Sequence, residues 1–245
     1  MSERDLPVLV LGNSLGTTWR LWQRQAPLFT EHFRVLSYEL PGHGGAPSPD
    51  GVSLASLGAG VLRLLDTSGI DQAAYCGVSL GGMVGMWLAA HAPDRIGSLS
   101  LICTSAYLPP AEGWQARASL VLAEGMAPVA EQSIGRWFTP AFIASSPSAV
   151  ASFRADLLAV DPAGYASCCL AIAAMDLRGD LALIKAPTLV ISGADDPAIP
   201  PGHGAAIAGA IDGARHLIVP GAHLANVTSP AEVASAVLSH LSVTI

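Results

Sequence analysis

The sequence of 245 residues predicts an α/β fold: a mostly parallel central sheet flanked by helices, with a helical lid inserted between the two halves of the sheet. Three observations lead there. Short apolar runs bounded by Gly, Pro or Asp recur along the chain. Helix-length patterns separate them. The alternation then stops near Pro109 and resumes after Lys185.

The apolar runs lie at residues 6–11, 34–40, 73–78, 99–103, 188–192 and 216–219. They are short and apolar, which is the pattern of strands buried on both faces of a parallel sheet. Helical patterns occupy 54–68, 81–92 and 230–241, the last with Ser229 as N-cap and Pro230 at the first helical position. Strands alternating with helices imply a doubly wound sheet. Between 109 and 185 the patterns are helical only, and Asp161-Pro162 marks one helix start. The expected division is a discontinuous core, 1–108 with 186–245, and a cap at 109–185. Ligands of open α/β sheets bind at the carboxyl ends of the strands, so a cap inserted there would roof a pocket.

Composition narrows the function. Hydrophobic residues make up 51 % and charged residues 13 %, which excludes a disordered chain. The formal charge is −7, and the twelve cations (eleven Arg and Lys185) form no basic stripe. Nucleic acid and anionic membranes are therefore not expected as partners. No apolar stretch approaches the ~18 residues of a membrane span. The start from Met1 to Asp5 shows no signal core, so a cytoplasmic protein is expected. Cys76, Cys103, Cys168 and Cys169 form no CxxC pair and are expected to pack in the interior rather than bind a metal.

The chemistry gathers around Gly77-Val78-Ser79-Leu80-Gly81, a G-x-S-x-G run after a strand and before a helix. That context places Ser79 on a tight strand-to-helix turn with its hydroxyl exposed, as a nucleophile requires. A serine needs a base. His223, in Pro220-Gly221-Ala222-His223, leaves the 216–219 strand. His43, in Pro41-Gly42-His43-Gly44, is its rival, with a structural turn histidine as the alternative reading. The base needs an orienting carboxylate, and Asp196 or its neighbour Asp195 ends the 188–192 strand. Two backbone N–H groups should face the developing oxyanion. Leu80, directly after the nucleophile, supplies one, and Leu15 in Gly12-Asn13-Ser14-Leu15-Gly16 supplies the other.

At these residues the chain resembles the α/β-hydrolase superfamily over essentially its whole length. Within it, three features are similar to the 3-oxoadipate enol-lactonases of aromatic degradation. They are Asn13-Ser14-Leu15-Gly16-Thr17 with Trp19 and Trp22, Gly77-Val78-Ser79-Leu80-Gly81-Gly82-Met83 with Trp87, and Arg136-Trp137-Phe138-Thr139 in the cap. Glu39 and Pro41 depart from the Asp and Arg frequent in relatives, and Thr228 stands where an acid is frequent. The resemblance implies a catalytic triad of Ser79, Asp196 and His223, and no metal or organic cofactor. It implies a small lactone substrate carrying a carboxymethyl group; the assembly, a monomer or a small homo-oligomer, is not fixed by the sequence. Ser14, Trp137 and Arg136 would contact this substrate, with Arg117, Arg154 and Arg178 as further cap cations. A carboxylesterase, a cofactor-free perhydrolase or a carbon–carbon bond hydrolase of the same fold is the alternative. Some family members carry a fused decarboxylase, and none is expected here.

Overall fold

The computed structural model describes residues 6–49 and 51–242, and the Met1-to-Asp5 start read above lies outside them. Among the described residues six strands form one sheet: β1 (Val8–Gly12), β2 (Arg34–Ser37), β3 (Ala73–Val78), β4 (Ile96–Ile102), β5 (Thr188–Gly193) and β6 (Arg215–Val219). Their order is β2-β1-β3-β4-β5-β6, and every pair is parallel. The central strands β3 and β5 are buried along their full length, which explains their uninterrupted apolar sequences.

The helices in chain order are α1 (Ala26–Thr30), α2 (Leu54–Thr67), α3 (Leu80–His91), α4 (Ala111–Glu124), α5 (Ala127–Trp137), α6 (Pro140–Ser145), α7 (Pro147–Leu158), α8 (Pro162–Ala173), α9 (Pro201–Ala210), α10 (Ala225–Thr228) and α11 (Pro230–Ser242). α2 begins at a capping box in which Ser53 and Ser56 satisfy each other's backbone N–H groups. α3 is apolar on nearly all sides because it lies buried against the sheet. α4 through α8 fill the interval between β4 and β5, with α4 packed along α8. Asp161 caps α8 by accepting from the Ala163 N–H at 3.0 Å. The Ser229 hydroxyl donates to the Pro220 carbonyl at 2.8 Å.

Two strands differ from their sequence pattern for a visible reason. The strand expected at 34–40 stops at Ser37. There the Tyr38 carbonyl accepts from Asn13 Nδ2 at 2.9 Å, and Glu39 turns toward the loop after β1. β4 starts earlier than expected, at Ile96, and ends before Cys103, whose φ of 45° takes the chain out of the sheet.

From β1 the chain crosses to β2 on one side and returns to β3 on the other. The carboxyl ends of β1 and β3 therefore flank a topological switch point, where open α/β sheets hold their ligands.

Candidate active site

At the end of β3 the chain turns sharply into α3, and Ser79 sits at the corner with φ 54° and ψ −116°. That conformation costs a non-glycine residue on the order of 1–3 kcal/mol and persists only where neighbours impose it. Here the Ser79 N–H donates to the Ile102 carbonyl at 2.9 Å. The Ser79 carbonyl accepts from Thr104 Oγ1 at 2.7 Å. Glycines make room for the turn: a Cβ on Gly77 would lie 2.4 Å from the Gly81 carbonyl carbon, and one on Gly81 2.4 Å from that of Gly12.

His223 sits between β6 and α10, and its Nε2 is 3.0 Å from Ser79 Oγ. Its Nδ1 lies 2.8 Å from Asp196 Oδ2. The other carboxylate oxygen of Asp196 accepts from the Ala198 and Ile199 N–H groups at 2.8 and 2.9 Å. All three side chains are buried. Asp195 is exposed, so of the two adjacent aspartates Asp196 is the one that reaches His223.

The loop after β1 is stitched to this corner. Gly81 N–H donates to the Asn13 carbonyl at 3.0 Å. The Asn13 side chain accepts from Trp22 Nε1 at 3.1 Å and donates to Glu39 Oε2 at 3.1 Å. Glu39 also accepts from the Trp19 N–H at 3.0 Å. Burial raises the Glu39 carboxyl above its ordinary range, and the bonds from Trp19 and Asn13 oppose that rise. Glu39 was legible only as a departure from a common pattern, and its position explains it. Leu15 N–H makes no hydrogen bond among the described residues, and Leu80 N–H belongs to the first helical turn, where α-helices leave donors unpaired.

His43 does not reach Ser79. Its Nε2 accepts from the Gly16 N–H at 2.8 Å, and its Nδ1 lies 2.8 Å from the Pro41 carbonyl. A donor facing one nitrogen and an acceptor facing the other fix a single neutral tautomer. Burial pushes its pKa down to about 4. His216, His203 and His240 are each bonded to a serine hydroxyl away from Ser79.

Above Ser79 lies a cavity of about 210 Å³, below the ~300–1,000 Å³ typical of drug-sized ligands. Ser14, Leu15, Ser79 and His223 form its floor, and the cap contributes Trp114, Arg117, Arg136 and Trp137. Both arginines face it and, among the described residues, no carboxylate does. The other cap arginines are engaged elsewhere, Arg154 with Glu131 and Arg178 with Asp176. The α5 terminus has a second task that side-chain patterns did not reveal. Its Arg136 and Trp137 carbonyls accept from the N–H groups of His223 and Leu224, at 3.3 and 3.1 Å.

Comparison with known proteins identifies the fold family. Residues 7–230 match the family model for the alpha/beta hydrolase fold. The chain is 40 % identical over 229 residues to 3-oxoadipate enol-lactonase 2 of Acinetobacter baylyi, covering 93 % of this chain and 86 % of the relative. The enol-lactonase of Burkholderia xenovorans LB400 superimposes with a TM-score of 0.96 at 38 % identity, covering 99 % of this chain and 94 % of that one. A hydrolase from Pseudomonas aeruginosa PA01 superimposes with a TM-score of 0.94 at 46 % identity, covering 97 % and 90 %. A sheet, an elbow and a cap arranged in this way, matched over nearly the whole chain, make this protein a member of the α/β-hydrolase fold family, similar within it to the 3-oxoadipate enol-lactonases.

Proposed function

We propose that this protein is a carboxylic ester hydrolase that opens 3-oxoadipate enol-lactone to 3-oxoadipate, a late step of protocatechuate and catechol degradation. One observation carries the reading: the unbroken line from Asp196 through His223 to Ser79, at 2.8 and 3.0 Å, beneath a small cavity lined, among the described residues, by arginines and no acid. The identity to the A. baylyi enol-lactonase supports the substrate.

In this reading Ser79 Oγ attacks the lactone carbonyl while His223 Nε2 takes its proton. Asp196 stabilises the imidazolium that results and holds the ring by its Nδ1 proton. The N–H groups of Leu80 and Leu15 bind the oxyanion. Collapse breaks the ring C–O bond and releases an enolate, which ketonises as it takes up the proton. Water then attacks the acyl-enzyme, His223 accepts its proton, and Ser79 leaves with that proton restored. The net reaction is lactone plus water giving 3-oxoadipate. Ser14 and Trp137 are read as walls that orient the ring against Ser79.

The test is a direct ultraviolet assay of enol-lactone hydrolysis beside p-nitrophenyl acetate. A kcat/KM of about 10⁴ M⁻¹s⁻¹ or more on the lactone, with far less on the ester, is the expected result. Fast ester cleavage with weak lactone turnover would keep the triad and move the protein to the esterase, perhydrolase or carbon–carbon hydrolase reading.

A further inference from the structure

Two cations face the cavity, and they are held very differently. Arg136, at the end of α5, is exposed, and its guanidinium makes no hydrogen bond or ion pair among the described residues. Arg117, on α4, is half-buried and bonded on three sides. Its Nε donates to the Tyr165 hydroxyl at 2.8 Å, Nη1 to Gln132 Oε1 at 2.9 Å and Nη2 to Ser133 Oγ at 2.6 Å. The guanidinium carbon stands 5.6 Å from the centre of the Tyr165 ring.

All three partners of Arg117 are neutral. Ser133 is oriented by donating its own proton to the Val129 carbonyl at 2.8 Å, which leaves its oxygen to accept from Arg117. Arg95, Arg154 and Arg178 each meet a carboxylate within 4 Å, and Arg117 meets none among the described residues. A guanidinium carries five N–H donors, so two remain free after these bonds. The result is a fixed, partly desolvated positive charge with unused donors and no counter-ion among the described residues. An outer cleft of about 590 Å³ between α4 and α5 shares Trp114, Arg117 and Arg136 with the inner cavity, and among the described residues it too is lined by no carboxylate.

We propose that Arg117 is the specificity-determining residue of this site: its guanidinium, rather than that of Arg136, holds a carboxylate group of the substrate. The assignment deepens the lactonase reading and rests on it for the identity of the substrate, though not for the anion site itself. Arg117 prevails for a physical reason. An arginine already locked by neighbours loses little freedom when it binds, whereas an exposed one must be ordered and is screened by water and salt.

The experiment compares two lactones with the same ring, the carboxymethyl enol-lactone and α-angelica lactone, which carries a methyl group instead. The readout is the ratio of their kcat/KM values, so any loss common to both substrates cancels. Arg117→Gln should lower that ratio by about 10²-fold, the size expected when one partner of a desolvated, hydrogen-bonded charge pair is removed. Arg136→Gln should lower it by less than about 5-fold, as for a solvent-exposed ion pair. A ratio unchanged in Arg117→Gln, or one that falls only in Arg136→Gln, overturns the assignment. A measurement without variants guards against misfolding: adipate should inhibit p-nitrophenyl acetate hydrolysis by the unmodified protein at least about 10-fold more strongly than neutral adipamide. Equal inhibition also overturns it. Selective inhibition by adipate that disappears in Arg117→Gln, in a protein that leaves the enol-lactone intact, would retain the anion site and discard the lactonase reading.

Discussion

The floor of the cavity is held by the main chain, and its roof by side chains. On the floor, Ser79 is bonded through both its N–H and its carbonyl, Asp196 accepts two backbone N–H groups, and Gly81 is tied to Asn13. In the roof, Arg117 is fixed by Tyr165, Gln132 and Ser133, and Trp137 packs edge-on against Phe138 and Phe153. Backbone bonds constrain position whatever the substrate. Side-chain bonds can be exchanged without moving the backbone. Substitutions in the floor should therefore depress turnover of every substrate, and substitutions in the roof should change which substrate is favoured.

The sharpest way to break this division is at the nucleophile. Ser79→Ala should lower kcat by at least about 10⁴-fold on lactone and ester alike, with a melting temperature close to that of the parent. Substantial activity left on either substrate would remove Ser79 from the chemistry. Asp196→Asn should follow, with a loss of about 10³–10⁴-fold in kcat. Its amide would have to turn an NH₂ either toward the Ala198 and Ile199 donors or toward His223 Nδ1, so one contact becomes donor against donor. Asp195→Asn, one residue away and exposed, should stay within about 2-fold, as surface changes do. Equal losses in the two variants would contradict the geometry.

This contrast also explains what could be read from the sequence. The floor was legible because its demands are local: Gly77 and Gly81 flank Ser79 since any Cβ there would strike backbone, and His223 and Asp196 each follow an apolar strand. Asp196 was separable from Asp195 only in three dimensions, because which carboxylate faces the histidine depends on where the loop turns. The roof was legible as a set of helices and not as a binding surface. Four cap arginines look alike in one dimension, and only packing shows that two face the cavity while Arg154 and Arg178 do not. The double role of α5 was hidden for another reason. Its link to His223 runs through carbonyl groups, which every residue carries and no side-chain pattern can advertise.

His43 tests how firmly the floor depends on a residue outside the line of three. It holds Gly16, the neighbour of the proposed oxyanion donor Leu15, from a buried position. His43→Phe keeps the ring and leaves the Gly16 N–H without its acceptor. A kcat loss of about 10-fold on both substrates is expected, below the 10²–10³ that follows outright loss of an oxyanion donor. A pH signature accompanies it. Burial keeps the folded pKa near 4, against 6.5 for the free group. Between those values the unfolded chain binds a proton that the folded chain refuses, so stability falls as pH drops from about 6.5 toward 4. The linkage amounts to about 2 kcal/mol between pH 7 and 5. Burial lowers His216 and His240 as well, so denaturant titrations at both pH values should show a pH dependence in His43→Phe that is smaller than the parent's by that increment. The same pH dependence in both proteins would show that His43 is not its source.

Trp137 lies on the boundary between the two regions, and the smallest effect should come from it. Its ring faces the cavity and the loop after β1, where a Cβ on Gly16 would come within 3.2 Å of it. Its carbonyl supports Leu224 beside His223. Replacement by Phe leaves the carbonyl in place and shortens only the plate. If the roof acts through side chains, Trp137→Phe should raise KM for the lactone by a few-fold, roughly the 1 kcal/mol of a trimmed aromatic contact, with kcat nearly unchanged. If Trp137 instead holds the floor through its ring, kcat should fall on lactone and ester together while KM stays fixed. Steady-state kinetics on both substrates separate the two. The second outcome would move the division between floor and roof inward, past Trp137 to Arg117.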